Sequence, residues 1–211
     1  MTKAIVLGLT GQTGAGKSSV SKIIREEFPE ETVHIIDCDL VSREVLKEEK
    51  RCLAEIALEF GCLYLTIKGE LDRRKLGEVV FADRKKLKKL NQIIYPFIIK
   101  SIKEKINDKL YQTKLIILDA PTLFESGSDK FCDKIMSVVA EESVRKRRIM
   151  ERDDISYEHA SNRIASQHDD DFYKSKSDFV IENNDGITDL KRMALYDIYS
   201  ILDQKDSLGG E

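Results

Sequence analysis

The stretch Ala4-Ile5-Val6-Leu7-Gly8-Leu9-Thr10-Gly11-Gln12-Thr13-Gly14-Ala15-Gly16-Lys17-Ser18-Ser19-Val20 decides the fold. An apolar run from Ala4 to Leu9 leads into a G-x-x-x-x-G-K-S string. From Lys17 onward Val20, Ile23, Ile24 and Phe28 recur at helical spacing. Strand, glycine loop and amphipathic helix in that order read as a phosphate-binding unit. Gly11, Gly14 and Gly16 let the backbone curl so that successive N–H groups point into one concavity. The helix beginning near Lys17 adds unpaired N–H groups and the positive end of its dipole. Gln12, Thr13 and Ala15 complete the loop as candidate binding positions. Lys17 is then the charge for β- and γ-phosphates, Ser18 a candidate Mg²⁺ ligand and Ser19 a hydrogen-bond donor to an α-phosphate. A plain glycine turn ahead of a helix is the lesser reading.

Working outward, Val33 to Ile36, Leu115 to Leu118, Ile135 to Ala140 and Phe179 to Ile181 are further apolar runs without alternation. Such runs suit strands covered on both faces, and their alternation with helical patterns implies an α/β fold with an open parallel sheet flanked by helices. A helical tail is expected over residues 189–202, with fraying from Ser207 to Glu211. From Asp72 to Lys109 the rhythm changes to helices with no strand between them. That segment carries 12 Lys and Arg against 5 Asp and Glu, while the rest of the chain sums to −10. It reads either as solvated helix faces or as an insertion whose basic face meets an anionic ligand.

Composition narrows the classes. The 211 residues suit one domain, and 41% apolar content is too high for a disordered chain. Charged residues reach 35%, against about 25% in ordinary proteins, so the surface should be heavily ionised. A net charge of −3 argues against nucleic acid as a general partner. No apolar run is long enough to span a membrane, and no export signal is apparent, so a cytoplasmic protein is expected. Cys38, Cys52, Cys62 and Cys132 lack metal-ligand spacing and read as reduced thiols, mostly buried. His34, His159 and His168 likewise show no metal-ligand spacing.

Acids and arginines supply further candidates. Asp37 and Asp39 fall at the carboxyl end of the second strand, where open parallel sheets bind ligands, although Asp is also a common helix cap. Asp39 is the better candidate for orienting an attacking hydroxyl, Arg43 one turn on for an anion, and Asp37 for metal. Asp119, ending the Leu115 run, is placed like a Walker B carboxylate that holds Mg²⁺ directly or through water. Arg148 and Arg152 stand four residues apart on one helix face and could neutralise a transferring phosphoryl group. Asp169-Asp170-Asp171 reads as a solvated loop without chemistry.

These residues together resemble the dephospho-coenzyme A kinase family, from Ile5 to about Tyr199. The resemblance rests on the glycine loop, on Asp37-Cys38-Asp39 with Arg43, and on Gly69-Glu70-Leu71-Asp72-Arg73 with Leu76 and Phe81. It also rests on Pro121-Thr122-Leu123-Phe124-Glu125, on Arg148, Arg152-Asp153, Glu158, Arg163 and Gln167, and on Val180-Ile181-Glu182-Asn183. Tyr95 before Pro96 and Thr122 depart from the family pattern. The resemblance implies a single P-loop NTPase-type kinase domain with a five-stranded parallel sheet. Its core would cover about 1–60 and 113–211, with a helical substrate-binding insertion over about 61–112 and a lid over about 153–176. It implies ATP and Mg²⁺, and phosphorylation of the ribose 3′-hydroxyl of dephospho-coenzyme A in the last step of coenzyme A synthesis. Arg163 and Asn183 would serve the nucleotide. Asp39, Arg43, Arg73, Pro121, Leu123, Phe124, Glu125 and Gln167 would serve the acceptor. No membrane partner is expected, and a monomer is expected ahead of an oligomer.

Two rivals stand beside it. Another P-loop small-molecule kinase, acting on a nucleoside or nucleotide, would share Arg152-Asp153-Asp154 but not Asp39 with Arg43 or the 121–125 segment. A nucleotide-dependent switch would need an Asn/Thr-Lys-x-Asp guanine reader, which the sequence lacks.

Overall fold

The structure, a computed structural model, describes residues 2–208, with side chains through 205. The chain divides into two compact units, Met1–Ile36 with Ile106–Glu211, and Asp37–Lys105. The first holds the sheet. Its strands are β1 (Ile5–Gly11), β2 (Val33–Asp37), β3 (Leu115–Asp119), β4 (Lys134–Val139) and β5 (Phe179–Glu182), in the order β2-β3-β1-β4-β5. Pairing is parallel, with Leu9 opposite Asp119 and Gly11 opposite Val138. β1 is therefore central, and its carboxyl end lies beside those of β3 and β4. That is the edge where an open parallel sheet presents its ligand crevice.

All five expected strands form, with ends within two residues of those expected. β3 is buried throughout, as the unalternating apolar run required. One face of the sheet is closed by α1 (Lys17–Glu27) and α9 (Ile187–Leu208). Leu7, Leu9, Val20, Ile24, Ile117, Val138, Ile181, Ala194 and Ile198 form its core, each 0% exposed. Toward the other face, Gly8 makes room. A Cβ there would lie 2.7 Å from Leu123 Cδ2 and 2.8 Å from Cys132 Sγ.

The tail helix runs on past its expected end. Ser207 and Leu208 belong to α9 and are not frayed, and 209–211 lie outside the described residues. Lys205 explains the extension, since its buried side chain donates from Nζ to the Lys114 carbonyl at 2.8 Å.

The remaining helices of the first unit are α6 (Glu142–Asp153), α7 (Tyr157–Ala165) and α8 (Asp170–Lys176). α8 corrects the loop expected at Asp169-Asp170-Asp171. Asp169 accepts from the Phe172 N–H at 2.9 Å and starts the helix, with Asp170 and Asp171 in its first turn. Acidic residues are favoured there by the helix dipole.

The second unit is helical, with α2 (Cys38–Glu48), α3 (Lys50–Phe60), α4 (Arg73–Phe81) and most of α5 (Arg84–Lys109). Its start at Asp37 takes in α2 and α3 as well as the basic segment. Leu53, Ile56, Leu76, Val80, Ile94 and Ile98 are buried within it. The cysteines divide more evenly than expected. Cys38 and Cys52 are buried, Cys132 is half-buried, and Cys62 is exposed in a single 3₁₀ turn after α3. Among the described residues no helix is long and apolar enough to cross a membrane.

Candidate active site

The glycine loop occupies residues 11–18 between β1 and α1. Gly14 and Gly16 adopt φ of 77° and 108°, conformations that L side chains rarely take. Space demands glycine at Gly14 as well, because a Cβ would meet the Arg145 carbonyl at 2.8 Å and Ile149 Cγ1 at 2.9 Å. Gly16 is the N-cap of α1 and offers no side chain to it. The Ser19 N–H turns back to the Gly16 carbonyl at 2.9 Å, and the N–H groups ahead of it are those that a helix start offers to a ligand.

Lys17 leaves the loop toward β3 and pairs with Asp119, whose carboxylate is almost buried. The expected phosphate cation and the expected metal carboxylate thus lie together at the ends of β1 and β3. Ser18 is exposed beside them. A Mg²⁺ ion takes hard oxygen ligands and keeps several from water and phosphate. One carboxylate and one hydroxyl fit that habit. Among the described residues no group of three or more His, Cys, Asp or Glu forms a cage for a metal.

The opposite wall is built from α6 and the segment after β5. Asn183, 5% exposed, donates from Nδ2 to the Ala15 carbonyl at 2.6 Å. Arg148 donates to the Asn183 carbonyl at 2.9 Å and to the Asp185 carbonyl at 3.3 Å, and partial burial lowers its pKa from the ordinary guanidinium value. Arg152 instead forks onto Asp153 at 2.8 and 2.9 Å, and Arg163 pairs with the same carboxylate. The hydrogen bonds from Arg152, followed by that from Arg163, hold the Asp153 carboxyl at about 2.

A third border lies at residues 167–173. Gln167 Oε1 accepts from the Thr13 N–H at 2.7 Å, and His168 stacks on Phe172 with ring centres 3.7 Å apart. Phe124 packs edge-on to Phe172 at 5.2 Å, while Glu125 stands 3.8 Å from the His168 imidazole.

The family model for dephospho-CoA kinase matches residues 5–189. The chain belongs to the dephospho-CoA kinase family. It is 43% identical over 189 residues to a dephospho-CoA kinase of Fusobacterium nucleatum, covering 88% of this chain and 93% of that one. The crystal structure of a Thermus thermophilus protein superposes with a TM-score of 0.76 at 26% identity, covering 94% and 98% of the two chains. A dephospho-CoA kinase from Campylobacter jejuni gives 0.68 at 29% identity, with the same coverage.

Several family-motif residues are committed to contacts within the protein. Leu123 is fully buried, with Cδ2 2.7 Å from where a Cβ on Gly8 would lie. Its neighbours Pro121 and Phe124 are half-buried and Glu125 is exposed. Arg148 and Arg152 share α6 but not a target. Arg148 spends its donors on two backbone carbonyls and Arg152 on Asp153. Gln167, expected at the acceptor, takes a hydrogen bond from the phosphate loop at Thr13.

The other motif residues belong to the Asp37–Lys105 unit. Asp37 caps α2, accepting from the Leu40 N–H at 2.9 Å. Asp39 is exposed in the first turn of α2, with Arg43 one turn on and also exposed. Asp72 caps α4, accepting from the Lys75 N–H at 3.0 Å, and Arg73 is exposed at the first position of that helix.

Two residues of the first unit escaped sequence reading. Arg145 stands first in a basic run that suggests a solvated face, yet it is 4% exposed. Asp170 accepts from Gln12 Nε2 at 2.7 Å. The pairing of Arg145 with Asp170 and of Asp170 with Gln12 joins distant segments and carries no local signal.

Proposed function

We propose that the chain catalyses transfer of the γ-phosphoryl group of ATP to the 3′-hydroxyl of dephospho-coenzyme A, giving coenzyme A and ADP. The observation that carries this reading is Lys17 held on Asp119 at the mouth of the glycine loop, in a chain of this family. The ribose oxygen attacks the γ-phosphorus, the bond to the bridging oxygen breaks, and ADP leaves with the electron pair. Asp39 orients the hydroxyl and accepts its proton, while Arg43 holds an anionic part of the acceptor. The loop from Gly11 to Ser19 binds the phosphates through the backbone N–H groups it does not spend on Gln167 and on its own carbonyls, and Lys17 stabilises charge on the β- and γ-phosphoryl oxygens. Asn183, braced by Arg148, borders the nucleotide side, and Arg152 and Arg163 contribute positive charge from α6 and α7. Ser18 and Asp119, with Asp37 as the alternative carboxylate, would hold Mg²⁺. When bound, the ion would neutralise phosphate charge.

The helical unit reads the acceptor. Its basic α4 and α5 suit an anionic substrate, and Arg73 is the residue to test. Arg73→Glu should raise the Michaelis constant for dephospho-CoA several-fold more than that for ATP. Steady-state kinetics with each substrate varied in turn checks this, and equal rises in both would count against the assignment. The same reading takes the enzyme as a cytoplasmic monomer. Its direct test is ADP release from Mg·ATP with dephospho-CoA as acceptor, compared with AMP, UMP and pantothenate. Only dephospho-CoA should support rapid release; preference for AMP or UMP would favour a nucleotide kinase.

A further inference from the structure

We propose that Asp170 is a positioning residue for the phosphate loop, acting through Gln12. The inference rests on the reading of that loop as the ATP site. Residues 167–170 are laced to the loop at two successive positions. Gln167 takes the Thr13 N–H at 2.7 Å, and Gln12 Nε2 donates to Asp170 Oδ1 at 2.7 Å, with a longer contact of 3.5 Å to the His168 carbonyl. Asp169 is occupied in capping α8, which leaves the Asp170 carboxylate for Gln12.

The anchor is buried and charged. Gln12 is 2% exposed, and the Arg145 guanidinium lies 3.8 Å from Asp170 Oδ1. Arg145 is fixed in turn by Nε donating to the Ala140 carbonyl at 2.9 Å. Its Nη1 and Gln12 Oε1 are buried with no partner among the described residues. Asp170 is therefore the counter-charge for a buried cation and an ionised acceptor for a buried amide. Hydrogen bonds to ionised groups are roughly twice as strong as neutral ones. The Arg145 carbonyl also closes the space around Gly14, so the residue that pairs with Asp170 lies against the loop as well.

A glycine loop is loose by itself, because glycine has the most conformational freedom to lose. Anchors at Gln12 and Thr13 remove that freedom before phosphate arrives, and preorganised donors bind more tightly. α8 is itself held down, since Tyr173 is 1% exposed and packs near Phe124. Displacement of the 167–170 segment would release both anchors together.

The test combines titration with a fluorescent ATP analogue, steady-state kinetics and thermal unfolding. Asp170→Ala and Gln12→Ala should each weaken nucleotide binding about tenfold, the loss expected when one charge-assisted hydrogen bond is removed. Each should leave the Michaelis constant for dephospho-CoA within about twofold, well inside that tenfold effect. The double variant should be no worse than the weaker-binding single variant, because both remove one contact. Asp170→Asn, which retains an oxygen acceptor and loses the charge, should recover part of the affinity. Multiplying effects in the double variant, or equal rises for both substrates, would overturn the proposal. So would normal nucleotide binding in Asp170→Ala alongside normal wild type. Absence of nucleotide binding in the wild type would overturn the loop reading as well. Should Asp170→Ala fail to fold, Gln12→Ala and Asp170→Asn carry the same comparison.

Discussion

Lys17→Ala should turn over about 10²–10³-fold more slowly than wild type, the loss typical of a principal electrostatic donor. The ammonium would act where charge develops as the β–γ bond breaks, so the effect should fall on kcat more than on ATP affinity. The structure adds a structural cost. Lys17 is the partner of Asp119, which is only 8% exposed, so the variant strands a nearly buried carboxylate at the end of β3. Leaving such a group without its partner costs roughly 1–3 kcal/mol, against a total stability of about 5–15 kcal/mol. The variant should therefore fold with a lowered Tm. Adding Asp119→Asn should restore much of the Tm and none of the turnover. Circular dichroism and turnover on one preparation separate the two effects. Retention of more than about a tenth of wild-type turnover would contradict the 10²–10³-fold loss assigned to Lys17.

Asp39→Asn should bind ATP nearly normally and lose about 10²-fold or more in turnover, the scale of a positioned general base. Asparagine keeps the size and much of the hydrogen bonding and loses the charge. Because the nucleophile is little bonded in a loose transition state, part of the loss reflects orientation of the hydroxyl. Asp37 is the internal control. Its carboxylate caps α2, and asparagine is an equally good cap, so Asp37→Asn should fold normally. If Asp37 serves the metal, raised Mg²⁺ should partly rescue Asp37→Asn and leave Asp39→Asn unchanged. Near-normal turnover in Asp39→Asn, or its full rescue by Mg²⁺, would move the role to another carboxylate.

The elements themselves were legible in the sequence because periodicity is local. Five unalternating apolar runs mark the five strands, and the glycine string with its flanks places the loop between β1 and α1. The spacing that puts Asp119 at the end of an apolar run places it at the correct sheet edge, although its pairing with Lys17 is a tertiary fact. What the sequence hides are commitments of side chains across long separations. Gln12 and Asp170 are 158 residues apart, and a triplet of aspartates ordinarily signals a solvated loop. Arg148 and Arg152 share a helix face by spacing, yet the backbone carbonyls after β5 claim one and Asp153 claims the other. Leu123 lies in a family motif, but the missing side chain of Gly8 draws it into the core. Motif membership identifies the positions that matter without saying which of them touch a ligand.

The reaction is defined by the atom that receives the phosphoryl group. Label transfer from γ-³²P-ATP to dephospho-CoA, run beside the analogue lacking the ribose 3′-hydroxyl, measures it most directly. One labelled phosphate per dephospho-CoA is expected, carried as a 3′-monoester, with no transfer to the 3′-deoxy analogue. Equal labelling of the analogue, or labelling of AMP in preference to dephospho-CoA, would contradict it.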